Sequence, residues 1–200
     1  MQEGIAIYGG SFNPPLNSHF LLAQQVVNEM SFISKVVFVP VSTKYNKKGL
    51  ASNEDRYNMV KSICNLNENF EVSDVELNGA VQPFTVETLN YLSKKYHETL
   101  YFIIGTDNLK ELKTWNRADE LVTKYNFIIL ERDNDKMEEI IETDEFLKKY
   151  RQAFIKFNNP IRTNLSSSFV REQLKEGKSI EYLTPDLVID YIKERNLYKW

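Results

Sequence analysis

Short apolar runs alternate along this chain with stretches whose apolar residues recur at helical spacing. Ile5-Ala6-Ile7-Tyr8 is a β-branched run that reads as a buried strand. Phe20, Leu21, Leu22, Val26, Val27 and Met30 then mark a helix. A second strand is predicted over 35–40, closed by Pro40. Residues 41–53 are polar, lysine-rich and aperiodic, a loop of a length that is more often functional than idle. Tyr57, Val60, Ile63, Cys64 and Leu66 predict a helix over 54–66, followed by a short extended piece over 70–77. Thr85 has the chemistry of an N-cap for a helix through Val86, Leu89 and Leu92.

Leu100-Tyr101-Phe102-Ile103-Ile104 is the clearest buried strand, with Gly105, Thr106, Asp107 and Asn108 at its carboxyl end. A helix over 117–124 leads to a strand over 127–130. Residues 133–150 are acidic and helical in pattern, most simply a solvated connecting helix, and 154–157 reads as a fifth strand. Ser166-Ser167-Ser168 opens a helix that runs to Lys175, with Gly177 as its C-cap. Pro185 starts a terminal helix whose apolar face carries Leu187, Val188, Tyr191 and Ile192. The alternation predicts a Rossmann-like, doubly wound α/β fold, a parallel sheet of about five strands with right-handed crossovers. Ligands in such sheets bind beyond the carboxyl ends of the strands, which here carry Gly9-Gly10, 40–48, 105–108 and 158–168.

The stretch between the first strand and helix is the first candidate site. Gly9-Gly10 predicts a sharp turn in which backbone amides approach a ligand with no Cβ in the way. Ser11, Asn13 and Pro14-Pro15 stiffen the loop, and His19 stands at the mouth of the helix, within reach of a phosphate. Strand, glycine-rich loop and helix N-terminus in that order build an anion site. The plainer reading of the same residues is a βα turn with a surface histidine.

Composition narrows the field. Two hundred residues, 42% hydrophobic, suit one domain over 1–200 with a full-sized core and a C-terminal helical part from about 164. Twenty-five basic against 28 acidic residues, net charge -3, offer no electrostatic case for nucleic acid or an anionic membrane. The single cysteine, Cys64, sits in an apolar pattern and reads as a buried core thiol. With no signal-like or long apolar segment, a soluble cytoplasmic protein is expected. A dinucleotide-binding dehydrogenase is disfavoured: no G-x-G-x-x-G follows the first strand, and the second ends in Pro40-Val41 with no acidic residue for a ribose. No Walker-type Gly-Lys-Ser/Thr follows a strand either.

The first loop resembles that of the adenylyl- and cytidylyltransferase superfamily, whose signature is a glycine-rich turn followed by His-x-Gly-His. Leu165-Ser166-Ser167-Ser168-Phe169-Val170-Arg171 is similar to its Ile-Ser-Ser-Thr-x-Ile-Arg motif. Three further pieces resemble nicotinate-nucleotide adenylyltransferases: Pro83-Phe84-Thr85-Val86-Glu87-Thr88-Leu89, the Gly105-Thr106-Asp107-Asn108-Leu109 run followed by Trp115, and the ending 183–198. The resemblance runs over essentially the whole chain and implies a single nucleotidyltransferase domain. The implied reaction joins ATP and nicotinate mononucleotide into nicotinate adenine dinucleotide, releasing pyrophosphate, a step of NAD biosynthesis. An in-line displacement of this kind needs positioning and positive charge on the phosphoryl oxygens, and no protein nucleophile.

The resemblance further implies His19 and Arg171 as catalytic groups. It places Gly9, Gly10, Ser11, Phe12, Ser18, Asp107, Ser167 and Ser168 around ATP and its phosphates. Lys47, Lys48, Thr85 and Trp115 would face the mononucleotide, Trp115 by stacking, although Lys44 competes with the other two lysines. Mg²⁺ would come with ATP and no carboxylate cage is implied. The partners are then ATP and a mononucleotide, with a homo-oligomer left open. Each residue also has a plain structural reading. The serines can be a helix cap, Trp115 core, Arg171 a solvated helix arginine and the lysines a soluble loop. His97 reads as a surface residue at a helix end.

The chain departs from the family where Leu16-Asn17-Ser18-His19 stands in place of His-x-Gly-His, and it lacks the family's Pro-x-His-Lys after the second strand. Loss of one phosphate donor costs about 3–4 kcal/mol of transition-state stabilisation, ~10²–10³ in rate, in comparable sites. The alternatives to an active adenylyltransferase are therefore a nucleotide-binding protein on the same fold that has lost catalysis, and a nucleotidyltransferase with another phosphorylated acceptor.

Overall fold

Six strands form one all-parallel sheet in the order β3-β2-β1-β4-β5-β6. The computed structural model describes residues 1–45, 49–131, 134–158 and 164–198. The strands are β1 (Gly4–Gly10), β2 (Ile33–Pro40), β3 (Phe70–Val72), β4 (Thr99–Gly105), β5 (Asn126–Leu130) and β6 (Phe154–Phe157). They are apolar runs because helices cover both faces, so each side chain meets a core whichever way it points. The sixth strand is the short β3, the only three residues of the predicted extended piece that pair, with Val36, Val37 and Phe38. The order reverses between β1 and β4, which opens a crevice at their carboxyl ends.

One face carries α3 (Thr85–Lys95), α4 (Thr106–Glu111) and α5 (Ala118–Lys124) over a core that includes Ile7, Val39, Leu89, Phe102, Leu121 and Phe127. The other carries α1 (Asn17–Glu29) and α2 (Asn53–Cys64) over Ala6, Tyr8, Phe20, Val26, Phe38 and Val60. A third cluster joins Leu16 and Met59 to α8 (Ser167–Lys175) and α9 (Asp186–Glu194) through Val170, Val188, Ile189 and Ile192. Gly177 stands one residue past the α8 C-cap, Glu176, at φ 68°, the left-handed conformation that ends a helix. Cys64 is buried and its thiol is pushed up to about 12 by burial, the property of a core residue. His97 is exposed.

Three local expectations are corrected. Thr85 is the first helical residue of α3 and not its cap: the cap position is Phe84, and Glu87 reaches back to accept from the Phe84 amide at 2.8 Å. The acidic stretch 133–150 is no single solvated helix. Its described part forms α6 (Met137–Glu142) and α7 (Glu145–Lys149), which bury Met137, Ile141 and Leu147 in the core. Asp144 splits them by accepting from the Phe146 and Leu147 amides at 2.9 and 3.3 Å, a cap that starts a new helix. Finally, Gly9 and Gly10 make no turn. They continue β1, opposite Val39 and Pro40, with extended and not left-handed backbone.

Candidate active site

The turn that Gly9-Gly10 was expected to make occurs two residues later. Phe12 takes it at φ 45°, a left-handed conformation that costs a bulky residue free energy unless packing repays it. The packing is aromatic: the Phe12 ring, 2% exposed, meets Tyr8 and Phe38 at 5.7 Å and His19 at 5.1 Å, near edge-to-face. Gly10 makes room for it, since a Cβ there would stand 2.9 Å from Phe12 Cζ.

Four carbonyls of this loop are held by donors from elsewhere in the chain. Arg56 Nη1 donates to Ser11 O at 3.0 Å, Arg171 Nη1 to Asn13 O at 2.8 Å and Ser167 Oγ to Pro14 O at 2.8 Å. Thr184 Oγ1 donates to Pro15 O. The Asn13 side chain, 1% exposed, donates to Gly49 O at 2.9 Å and accepts from the Ala51 amide and the Tyr198 hydroxyl, both at 2.9 Å. Asn17 closes the series through Leu183 O and Tyr182 O. The loop is thus preorganised by residues drawn from α2, α8 and the chain's C-terminal part.

A cleft of about 500 Å³ opens above this loop, lined by Ser11, Phe12, Ser18 and His19, by Leu130 and Glu131 at the end of β5, and by Asn164 to Ser168 and Arg171. His19 Nδ1 accepts from the Leu16 amide at 2.9 Å, so the neutral ring carries its proton on Nε2. Ser166 caps α8 by accepting from the Phe169 amide at 3.2 Å. The Ser167 and Ser168 amides lie in the first turn of α8, where N–H groups have no partner within the helix itself. With the positive end of the helix dipole they suit an anion. Arg171 is anchored by Asn13 O and by Ser168 Oγ, which accepts from its Nη2 at 3.1 Å, and its guanidinium keeps further N–H donors for the cleft. Burial pushes the Glu131 carboxyl up, but Lys156 at 2.9 Å, the Met137 amide and Lys136 outweigh burial and hold it below the usual carboxylate range.

Seven of the expected residues therefore share one cleft: Ser11, Phe12, Ser18, His19, Ser167, Ser168 and Arg171. Gly9, Gly10, Asp107, Thr85 and Trp115 do not line it. Gly9 turns its open side to Phe102, whose ring would lie 3.5 Å from a Cβ, and Phe102 meets Trp115 edge-on at 6.4 Å. Trp115 is half-buried against the α3–α5 core, and Asp107 is exposed in α4 at the carboxyl end of β4. Thr85 opens α3 on that same face, so the candidates fall into two groups on either side of β1. Lys47 and Lys48 lie outside the described residues. A smaller hollow of about 210 Å³ at the amino ends of β5 and β6 holds none of the candidates.

Sequence reasoning missed Arg56, Tyr198 and Glu131, and treated Asn13 only as a loop stiffener. Arg56 left a readable trace, because it stands three and four positions before Met59 and Val60 on what becomes the buried stripe of α2. Tyr198 and Glu131 left none.

A sequence model of the family described as Cytidylyltransferase-like matches residues 7–173. A probable nicotinate-nucleotide adenylyltransferase of Caldicellulosiruptor bescii is 36% identical over 196 residues, covering 98% of each chain. Another, from Dehalococcoides mccartyi, is 35% identical over 196 residues, covering 96% of this chain and 95% of its own. The chain belongs to the nicotinate-nucleotide adenylyltransferase family. Among solved structures, the Plasmodium falciparum nicotinic acid mononucleotide adenylyltransferase complexed with NaAD superposes with a TM-score of 0.79 at 26% identity, covering 98% of both chains. The same enzyme complexed with APC gives 0.75.

Within this family member Leu16 has been taken into the core. It is 1% exposed and clusters with Met59, Val170 and Val188, so it lines the cleft while belonging to the core of the C-terminal helices. Its backbone amide still serves the site by fixing the His19 tautomer.

Proposed function

We propose that this chain transfers the adenylyl group of ATP to nicotinate mononucleotide, forming nicotinate adenine dinucleotide and pyrophosphate. The observation that carries the reading is the convergence of His19 Nε2–H, Arg171 and the first amides of α8 on one cleft. These are fixed donors where negative charge develops in a phosphoryl transfer. The mononucleotide 5′-phosphate oxygen attacks the α-phosphorus of ATP, and the bond to the bridging oxygen breaks with its electron pair leaving on pyrophosphate. His19 and Arg171 donate to the phosphoryl oxygens as this charge moves, with the Ser11, Phe12, Ser18, Ser167 and Ser168 groups around the remaining phosphates.

Gly9, Gly10 and Asp107 border the nucleotide from the β1 and β4 ends in this reading. Thr85 and Trp115 face the nicotinate ring across β1; Lys47 and Lys48, outside the described residues, are assigned to that substrate from the family resemblance alone. Among the described residues no group of three or more His, Cys, Asp and Glu side chains is arranged to hold a metal ion. Mg²⁺ would come with ATP and would supply neutralising charge on its phosphates. Among the described residues no helix is long and apolar enough to cross a membrane.

The test is pyrophosphate release from ATP, Mg²⁺ and nicotinate mononucleotide, run beside His19→Ala. Turnover that falls ~10²–10³-fold in the variant is expected from loss of one donor at the reacting centre. Turnover with nicotinamide mononucleotide or another phosphorylated acceptor, and none with nicotinate mononucleotide, would refute the acceptor assigned. ATP binding without turnover for any of them would leave a binding protein on an enzyme's fold.

A further inference from the structure

Arg56 has no solvent exposure at all, yet among the described residues no carboxylate forms an ion pair with it. Its three hydrogen bonds go to neutral oxygens: Nε to Ala51 O at 3.0 Å, Nη1 to Ser11 O at 3.0 Å and Nη2 to Asn53 Oδ1 at 2.8 Å. The adjacent acid, Asp55, is committed elsewhere, accepting from Ser52 Oγ, the Tyr191 hydroxyl and Arg195 Nε. Burial pushes the Arg56 guanidinium down from its ordinary value, opposed by Tyr198, but an arginine this basic stays charged at neutral pH. A buried, uncompensated charge is costly, and proteins keep such groups paired or coordinated.

The position of the missing counter-charge follows from the loop. Arg56 grips the Ser11 carbonyl from behind, and in a trans peptide the Phe12 N–H then points the opposite way. Ser11, Phe12 and Asn13 all line the cleft. We infer that Arg56 is a positioning residue whose counter-ion is the substrate's phosphate chain: a cation fixed one peptide behind the loop, balanced only when a di- or triphosphate occupies the cleft. This rests on the phosphate-cleft reading above and adds a group that touches neither substrate. The charge raises the cleft's affinity for pyrophosphate and triphosphate through the field, while the guanidinium fork holds the loop's amide direction.

Asn53→Asp is the central test, because it places a carboxylate against Arg56 Nη2 in nearly the same shape, although it gives up the Asn53 Nδ2 donor to Leu77 O at 2.9 Å. Isothermal titration with inorganic pyrophosphate should show affinity reduced on the order of tenfold, as for one unit charge sensed across roughly 10 Å at an effective dielectric near 20. The ligand-free denaturation midpoint sets the new ion pair against the lost Leu77 bond and should stay near wild type, whereas simple structural damage lowers midpoint and affinity together. Arg56→Gln should weaken pyrophosphate at least as much, and Arg56→Lys, which keeps the charge and loses the fork, should stay within a few-fold of wild type. Unchanged pyrophosphate affinity in Asn53→Asp overturns the inference even if Arg56→Gln does not fold. Equal losses in Arg56→Lys and Arg56→Gln overturn it as well, since charge would then not matter. If the wild-type chain binds no pyrophosphate, the phosphate cleft itself is refuted along with Arg56.

Discussion

Alanine at position 10 puts one methyl group where the Phe12 ring now lies. A Cβ there would stand 2.9 Å from Cζ and 3.1 Å from Cε1 and Cε2. Carbon atoms in contact prefer about 3.5–4.0 Å, so the ring must retreat by roughly 0.5–1 Å. It cannot do so freely, because Tyr8, His19 and Phe38 crowd it at centroid distances of 5.7, 5.1 and 5.7 Å and its backbone is already left-handed. Overpacking of this kind costs about 1–3 kcal/mol. For a domain of this size that lowers the melting temperature by roughly 2–12 °C. Gly9→Ala is the control next door: its Cβ would meet only the Phe102 ring at 3.5 Å, an ordinary contact. Its stability should match or exceed wild type, by up to about 1 kcal/mol, through a less flexible unfolded chain. Paired thermal and urea denaturation of the two variants decides the matter, and pyrophosphate release shows whether His19 moves with the Phe12 ring. Equal stability of the two alanine variants would refute the reasoning.

Other consequences are open to direct measurement. Cys64, its thiol pushed up to about 12, should resist iodoacetamide at pH 8 in the folded chain and react in urea, which mass spectrometry reads directly. Tyr198→Phe keeps the buried ring but removes the bond to Asn13 Oδ1, and should cost about 1 kcal/mol in urea denaturation. Because Asn13 O anchors Arg171, that variant should also raise KM for ATP more than KM for the mononucleotide. Glu131 has a depressed carboxyl pKa in the folded state, so its contribution is present above the unfolded-state value and is lost as pH falls through the folded one. Wild type should exceed Glu131→Gln in stability at pH 7, and the gap should close in acid denaturation series. A gap independent of pH would contradict the ion pairs with Lys156 and Lys136.

Much of the fold was legible in one dimension because strand burial and helix periodicity are local properties. Runs such as Leu100 to Ile104 are apolar on both faces, and only a strand covered on both sides needs that. The serines before Arg171 read as a helix start because capping is decided within four residues. Motif order then placed His19 and Arg171 together, and the cleft contains both. The acidic 133–150 stretch misled because its charges are real but lie outside, while Met137, Ile141 and Leu147 find the core only after Asp144 breaks the helix.

What tertiary structure alone decided is which atoms fill the space around the loop. Gly9 and Gly10 are identical in sequence, yet one faces Phe102 at ordinary distance and the other lies under the Phe12 ring. Leu16 read as a lost phosphate donor, and the fold gives it a different task in the C-terminal core. Arg56, 45 residues from Ser11, and Tyr198, 185 from Asn13, reach the loop only because α2 and the chain's end pack against it. Hydrogen-bond partners and counter-charges are set by proximity in space, and a spacing rule that spans one or two turns carries no information about them.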